Sequence, residues 1–131
     1  MSAEFNNKLN KGFILKNKSE IEELFKKGIR LNSDMLKAIW TVDISDKSGV
    51  FVFFSVPKRL IPKAHNRNLI KRRMKEALRQ NLSLLKKVSK QNNLCIRIAV
   101  VYSSDKIHDY QEIENKIILS LQSVFSKISN S

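Results

Sequence analysis

The stretch from Ser55 to Arg79, SVPKRLIPKAHNRNLIKRRMKEALR, holds the end of one element, a turn and the body of another. Pro57 stops the strand-forming run VFVFFSV of residues 50–56, because proline cannot donate to a sheet ladder. Pro62 stands where the first turn of a helix tolerates its missing N–H. From there to about Lys87 the apolar residues recur at helical spacing. At roughly 100° per residue, Ile70, Met74, Ala77, Leu78, Asn81 and Leu85 gather on one side. Asn68, Arg72, Lys75 and Arg79 stack on the other, with Lys71 and Arg73 at the two borders. Arg67 falls close to the apolar side, so its stem is expected to be partly covered while its guanidinium reaches out. The pattern predicts a helix that packs on a sheet and shows a cationic ridge outward.

From Lys58 to Arg79, nine Lys or Arg stand against one acid, Glu76, so eight of the chain's thirteen net positive charges lie in 22 residues. An ordinary solvated helix interleaves Glu and Lys at i,i+4, where the pairs stabilise it. Here near neighbours repel, and stability is given up for charge. A membrane-surface helix would carry bulkier apolar residues than this one has to spare from the core. A DNA-recognition helix would mix fewer charges with base-reading Asn, Gln and Ser in a helix-turn-helix. RNA met through its backbone and shape fits best.

Around this stretch, 131 residues suffice for one domain. Residues 1–13 are expected to form a flexible polar segment, 14–128 a single domain and 129–131 a tail. Ser19 with Glu22 predicts a capping box for a short helix bearing Ile21, Leu24 and Phe25 and closing at Gly28. LKAIWTVD, Leu36 to Asp43, alternates as a strand, with Lys37, Ile39 and Thr41 on one side and Leu36, Ala38, Trp40 and Val42 on the other. SDKSG, residues 45–49, is turn chemistry, so this strand and residues 50–56 are expected to form a hairpin. Residues 29–32 suggest a short extra strand. LCIRIAVVY, Leu94 to Tyr102, is a further strand, and Asp109 can cap a last helix to about Lys127. The order α-β-β-β-α-β-α describes a small α+β sandwich.

One cysteine, Cys95, excludes an internal disulfide and reads as a packed strand residue. No apolar run approaches the ~18 residues of a membrane span, and MSAEFNNKLNKGF lacks the apolar middle of a signal peptide. A cytoplasmic protein with no membrane partner and no obligate protein partner is expected. The twelve carboxylates are scattered, His65 and His108 lie far apart, and no ligand spacing suggests a metal. No catalytic residue and no metal site are therefore assigned to the chain.

Ser55 to Arg79 resembles the signature of the bacterial ribonuclease P protein subunit. In that family a strand ends in Ser-Val, a basic turn follows, and then come Ala, two residues, Arg-Asn-Arg, an apolar residue, Lys-Arg and a final Arg. Ser55, Val56, Lys58, Arg59, Ala64, Arg67, Asn68, Ile70, Lys71 and Arg72 occupy matching places, Lys75 stands for the later basic position, and Arg79 continues the ridge. Leu69 departs from the third member of the triplet; Arg73, about 40° around the helix, is the compensating cation. FILKNKSEIEELFKKG and DYQEIENKIILSLQSVF resemble the family's first and last helices, so the likeness covers roughly residues 14 to 127.

This resemblance implies an α-β sandwich with a left-handed β-α-β crossover. It also implies a subunit that binds a catalytic RNA and the 5′ leader of precursor tRNA. Mg²⁺ would be held mainly by RNA and substrate, with no organic cofactor. Lys58, Arg59, Lys63, Arg67, Asn68, Arg72, Arg73 and Arg79 would then meet the catalytic RNA. The leader would lie in a groove between the first helix and the sheet, with Ile21, Phe25, Trp40 and Phe53 inside it and Lys71 and Lys75 at its edge. A general RNA-binding or ribosome-associated protein is the alternative. A metal-dependent protein nuclease is disfavoured by the scattered carboxylates.

Overall fold

The computed structural model describes residues 13–129. The expectation of a flexible N-terminal segment lies, up to residue 12, outside the described residues, as do residues 130 and 131 of the tail. The elements run α1 (Lys18–Lys27), β1 (Ile29–Asn32), β2 (Leu36–Ile44), β3 (Gly49–Ser55), α2 (Ala64–Asn81), α3 (Ser83–Asn92), β4 (Leu94–Tyr102) and α4 (Tyr110–Ser129). Alternation along the strands divides them into two faces. Leu36, Trp40, Val50, Val52, Ile96, Ile98, Val100 and Tyr102 meet the buried sides of α2, α3 and α4 in the main core. Ile39 and Ala99 meet Leu24 of α1 on the other face, with Phe51 and Phe53 beside them.

The sheet order is β1-β2-β4-β3. The hairpin expected between β2 and β3 does not form: β4 lies between them, antiparallel to β2 and parallel to β3. Turn residues at 45–48 mark only where the chain leaves β2. There the Ser45 N–H donates to the carbonyl of Asn93 at the start of β4 (2.7 Å), so the loop is tied to the later strand. The central place goes to the strand with buried residues on both faces, which sequence order does not specify.

The long helix expected to Lys87 is two helices. Leu82, fully buried between Leu78 and Leu85, ends α2, and α3 restarts at Ser83 without a side-chain cap. The break lets all three leucines face the core. Asn93, in the left-handed region at φ 52°, closes α3 and turns the chain into β4. At the N-terminal end, α1 begins earlier than the Ser19 box predicts. Asn17 is the cap, its side chain accepting from the Glu20 N–H (3.0 Å). Asp109 caps α4 as expected, exchanging bonds with Glu112 in both directions.

Gly28 is required by a close approach. A Cβ there would lie 2.5 Å from Ile39 Cγ2 and 2.6 Å from the Leu24 carbonyl oxygen. Gly28→Ala is therefore expected to push α1 off the sheet and cost about 1–3 kcal/mol, read as a lower urea midpoint at unchanged slope.

Candidate nucleic-acid interface

Two surfaces converge on the Pro57–Lys63 turn. The first is α2. Its apolar side, Ile70, Met74, Ala77 and Leu78, is buried. That burial leaves Asn68, Lys71, Arg72 and Lys75 exposed along the outside. Lys58, Arg59 and Lys63 extend the charge around the start of the helix, where no side chain caps the backbone N–H groups. Uncapped N–H groups and the helix dipole favour an anion at the same end as these cations.

The predicted ridge residues are not equivalent. Arg67 does not reach outward: its Nη1 donates to the carbonyls of Ile61 (3.0 Å) and Pro62 (2.7 Å) and clamps the turn onto the helix. Its place near the apolar side brings the guanidinium within reach of those carbonyls before it meets solvent. Arg73 Nη1 donates to the His108 carbonyl (2.6 Å) and ties α2 to the loop before α4. Arg79 holds Glu76 by two bonds, one from Nε at 2.8 Å. Those bonds and one from Gln80 hold the Glu76 carboxyl down to about 2. Leu69, where a third cation was absent, is half-buried.

The second surface is the sheet face beside α1. Phe25 and Phe53 meet edge to face, with centroids 5.9 Å apart and planes at 86°, and both remain partly exposed. Ile21 packs in the same cluster. The Arg30 guanidinium bonds the Phe25 carbonyl and fixes the end of α1 to the edge strand. Trp40 is not brought here. It points to the opposite face and is 4 % exposed in the main core, because Ile39 takes the α1 side of β2. Lys71 and Lys75 stand on α2, in the helical layer across the sheet from α1, and share the outer surface of the ridge helix.

Lys37 was not singled out by the sequence, although alternation puts it on the side of Ile39. Its register partner Val101 also pairs with Ser55, which sets Lys37 in the sheet row next to that of Phe53. Lys37 and Arg59 together line a cavity of about 310 Å³ with Ser33, Asp34 and Ser103. That cavity sets Lys37 of β2 beside Arg59 of the basic turn.

A family model described as Ribonuclease P matches residues 9–126. The chain belongs to the ribonuclease P family. A ribonuclease P protein component of Chlorobaculum tepidum is 37 % identical over 89 residues, which is 65 % of this chain and 58 % of that relative. The chain thus spans somewhat over half the length of the curated relative it matches. The Staphylococcus aureus RNase P protein superposes with a TM-score of 0.60 at 25 % identity, covering 86 % of this chain and 97 % of that one. The Thermotoga maritima RNase P protein shares the fold, with a TM-score of 0.66 at 18 % identity over 83 % and 94 % of the two chains. Within this ribonuclease P fold, the parallel β3 and β4 joined through α2 and α3 are consistent with the left-handed crossover that the resemblance implies. Among the described residues of this family member, no three His, Cys, Asp or Glu side chains group as metal ligands. No helix among them is long and apolar enough to cross a membrane.

Proposed function

We propose that this chain is the protein subunit of a ribonuclease P holoenzyme, binding the catalytic RNA and the 5′ leader of precursor tRNA so that the leader is removed. The observation that carries the reading is α2: a helix of this family whose outward side holds Arg72, Lys71 and Lys75 beside Lys58, Arg59 and Lys63. These cations meet phosphate oxygens of the catalytic RNA, the arginines as planar forks and the lysines as point charges. Arg67 and Arg73 act as positioning residues that hold the turn and the helix in place for them.

The single-stranded leader lies on the α1 side of the sheet. Phe25 and Phe53 offer aromatic surface for bases, which stack with little sequence preference. Lys37 and Arg59 draw the phosphates from that face toward the basic turn. On this reading the chemistry of cleavage belongs to Mg²⁺, a hard cation that takes oxygen ligands, held mainly by the RNA and the substrate. The protein raises the local affinity for both RNAs and screens their mutual repulsion.

Cleavage of precursor tRNA by ribonuclease P RNA at low Mg²⁺, with and without this protein, tests the reading. Strong stimulation is expected. No stimulation with a matched RNA would favour a general or ribosome-associated RNA binder, and cleavage by the protein alone would overturn both. In the same assay Phe25→Ala should reduce the preference for precursor over mature tRNA by about 1–3 kcal/mol, the worth of one lost base stack. An unchanged preference would remove Phe25 from the leader site.

A further inference from the structure

The motif and the groove leave one charged surface unused. Between Ala77 and Ser104 the chain contains Arg79, Lys86, Lys87, Lys90 and Arg97 and no Asp or Glu. Three of these cations lie on α3. Leu85 and Ser89 are its buried residues. Lys86 and Lys90 stack at i,i+4 away from them, with Lys87 about 100° beyond Lys86. Lys86 is held in place, its Nζ 4.3 Å from the centroid of Phe13. Burial also keeps its pKa below the ordinary lysine value. Lys87 and Lys90 are exposed, and neither has an ion pair among the described residues.

The break at Leu82 makes this a surface of its own. α2 packs along α4, whereas α3 packs against β3 and β4, with Phe13 and the Ile14–Val52 bridge at the outer edge of β3. The ridge and the α3 lysines therefore stand on separate parts of one helical layer, the ridge beside α4 and the lysines toward the β3 edge. Like charges one turn apart and without a carboxylate destabilise a helix. A polyanion removes that cost. The outward side of α3 carries Gln91, no aromatic residue and one exposed large apolar side chain, Leu84, which suits phosphates and sugars better than a lipid interface.

We infer that α3 is a second phosphate-binding surface, through Lys87 and Lys90, for a run of RNA backbone separate from the one on the α2 ridge. The inference rests on the reading of the chain as an RNA-binding subunit. An RNA that engages both surfaces is held at α2 and at α3 of one helical layer, so the protein grips two backbone segments at once.

The test is binding of full-length ribonuclease P RNA by the wild-type chain, Lys87→Ala/Lys90→Ala and Arg72→Ala over a range of salt, with hydroxyl-radical footprinting of each complex. Both lysines are exposed and repel along the helix, so the double variant should melt at or slightly above the wild type; Lys87→Gln/Lys90→Gln serves as a second form. Loss of two phosphate contacts should lower the slope of log K against log salt by about 2 and weaken binding about 30-fold at 0.15 M. The double variant should lose protection at nucleotides that Arg72→Ala keeps. An unchanged slope, or loss of the same nucleotides in both variants, would overturn the second surface while leaving the ridge intact. Failure of the wild type to bind would overturn the subunit reading itself.

Discussion

Alanine at Lys58, Arg59, Lys63 and Arg72 together is expected to weaken binding of ribonuclease P RNA about a thousand-fold at 0.15 M salt, with little change in thermal stability. Each phosphate contact contributes about 0.9 to the salt slope, so four lost contacts flatten it by about 3.6 and cost about three decades of affinity. All four residues are exposed, and none holds another part of the fold by a hydrogen bond or ion pair among the described residues. Arg67→Ala and Arg73→Ala should behave differently. Each removes a charged donor from backbone carbonyls and should cost about 1.5–3 kcal/mol of stability before any effect on RNA is felt. Fluorescence titration across salt and urea unfolding on the wild type and these three variants separate the two classes. A quadruple variant that keeps the wild-type slope would show that the ridge does not meet phosphates.

Trp40→Ala is expected to lose about 3–5 kcal/mol of stability, against a total that for domains of this kind is about 5–15 kcal/mol. The indole fills the main core between β2 and the helical layer, and its removal leaves a cavity that Ile98 and its neighbours cannot close. The loss should be read by urea unfolding, and Trp40→Phe should recover most of it. Under conditions where the variant is folded, its preference for precursor over mature tRNA should match that of the wild type. If Trp40→Ala instead kept its stability and lost that preference, the indole would belong to the leader site after all.

These two predictions separate residues that the sequence alone had grouped. The periodicity of α2 was legible because a helix that packs on one side must repeat its apolar residues every third or fourth position, and Ile70, Met74, Ala77 and Leu78 are buried as that rule requires. The cationic side followed by difference. What a one-dimensional pattern lacks is the partner of each side chain. Arg67 and Arg73 carry the same charge as Arg72, yet their guanidinium groups end on carbonyls supplied by Ile61, Pro62 and His108. Trp40 and Ile39 are both large and apolar, and only the side taken by α1 decides which of them faces the groove. Lys37 was visible as an alternating residue, but its neighbours Arg59 and Ser103 come from distant parts of the chain. The strand order was illegible for the same reason: the turn at 45–48 is equally compatible with a hairpin and with a strand inserted later.

That inserted strand has a consequence for how the protein is made. β4 is one of the two inner strands of the sheet, yet it begins at Leu94, after every other strand has been synthesised. Until it leaves the ribosome, β2 and β3 have no common partner, and Val50, Val52 and Phe54 line an unfilled gap. The sheet must then close around the last strand, with the basic helix already strung across the opening as part of the connection. Long-range parallel pairing of this kind is slow and leaves apolar edges open meanwhile. The net charge of +13 then works in the chain's favour, since mutual repulsion keeps half-built copies apart while those edges are open.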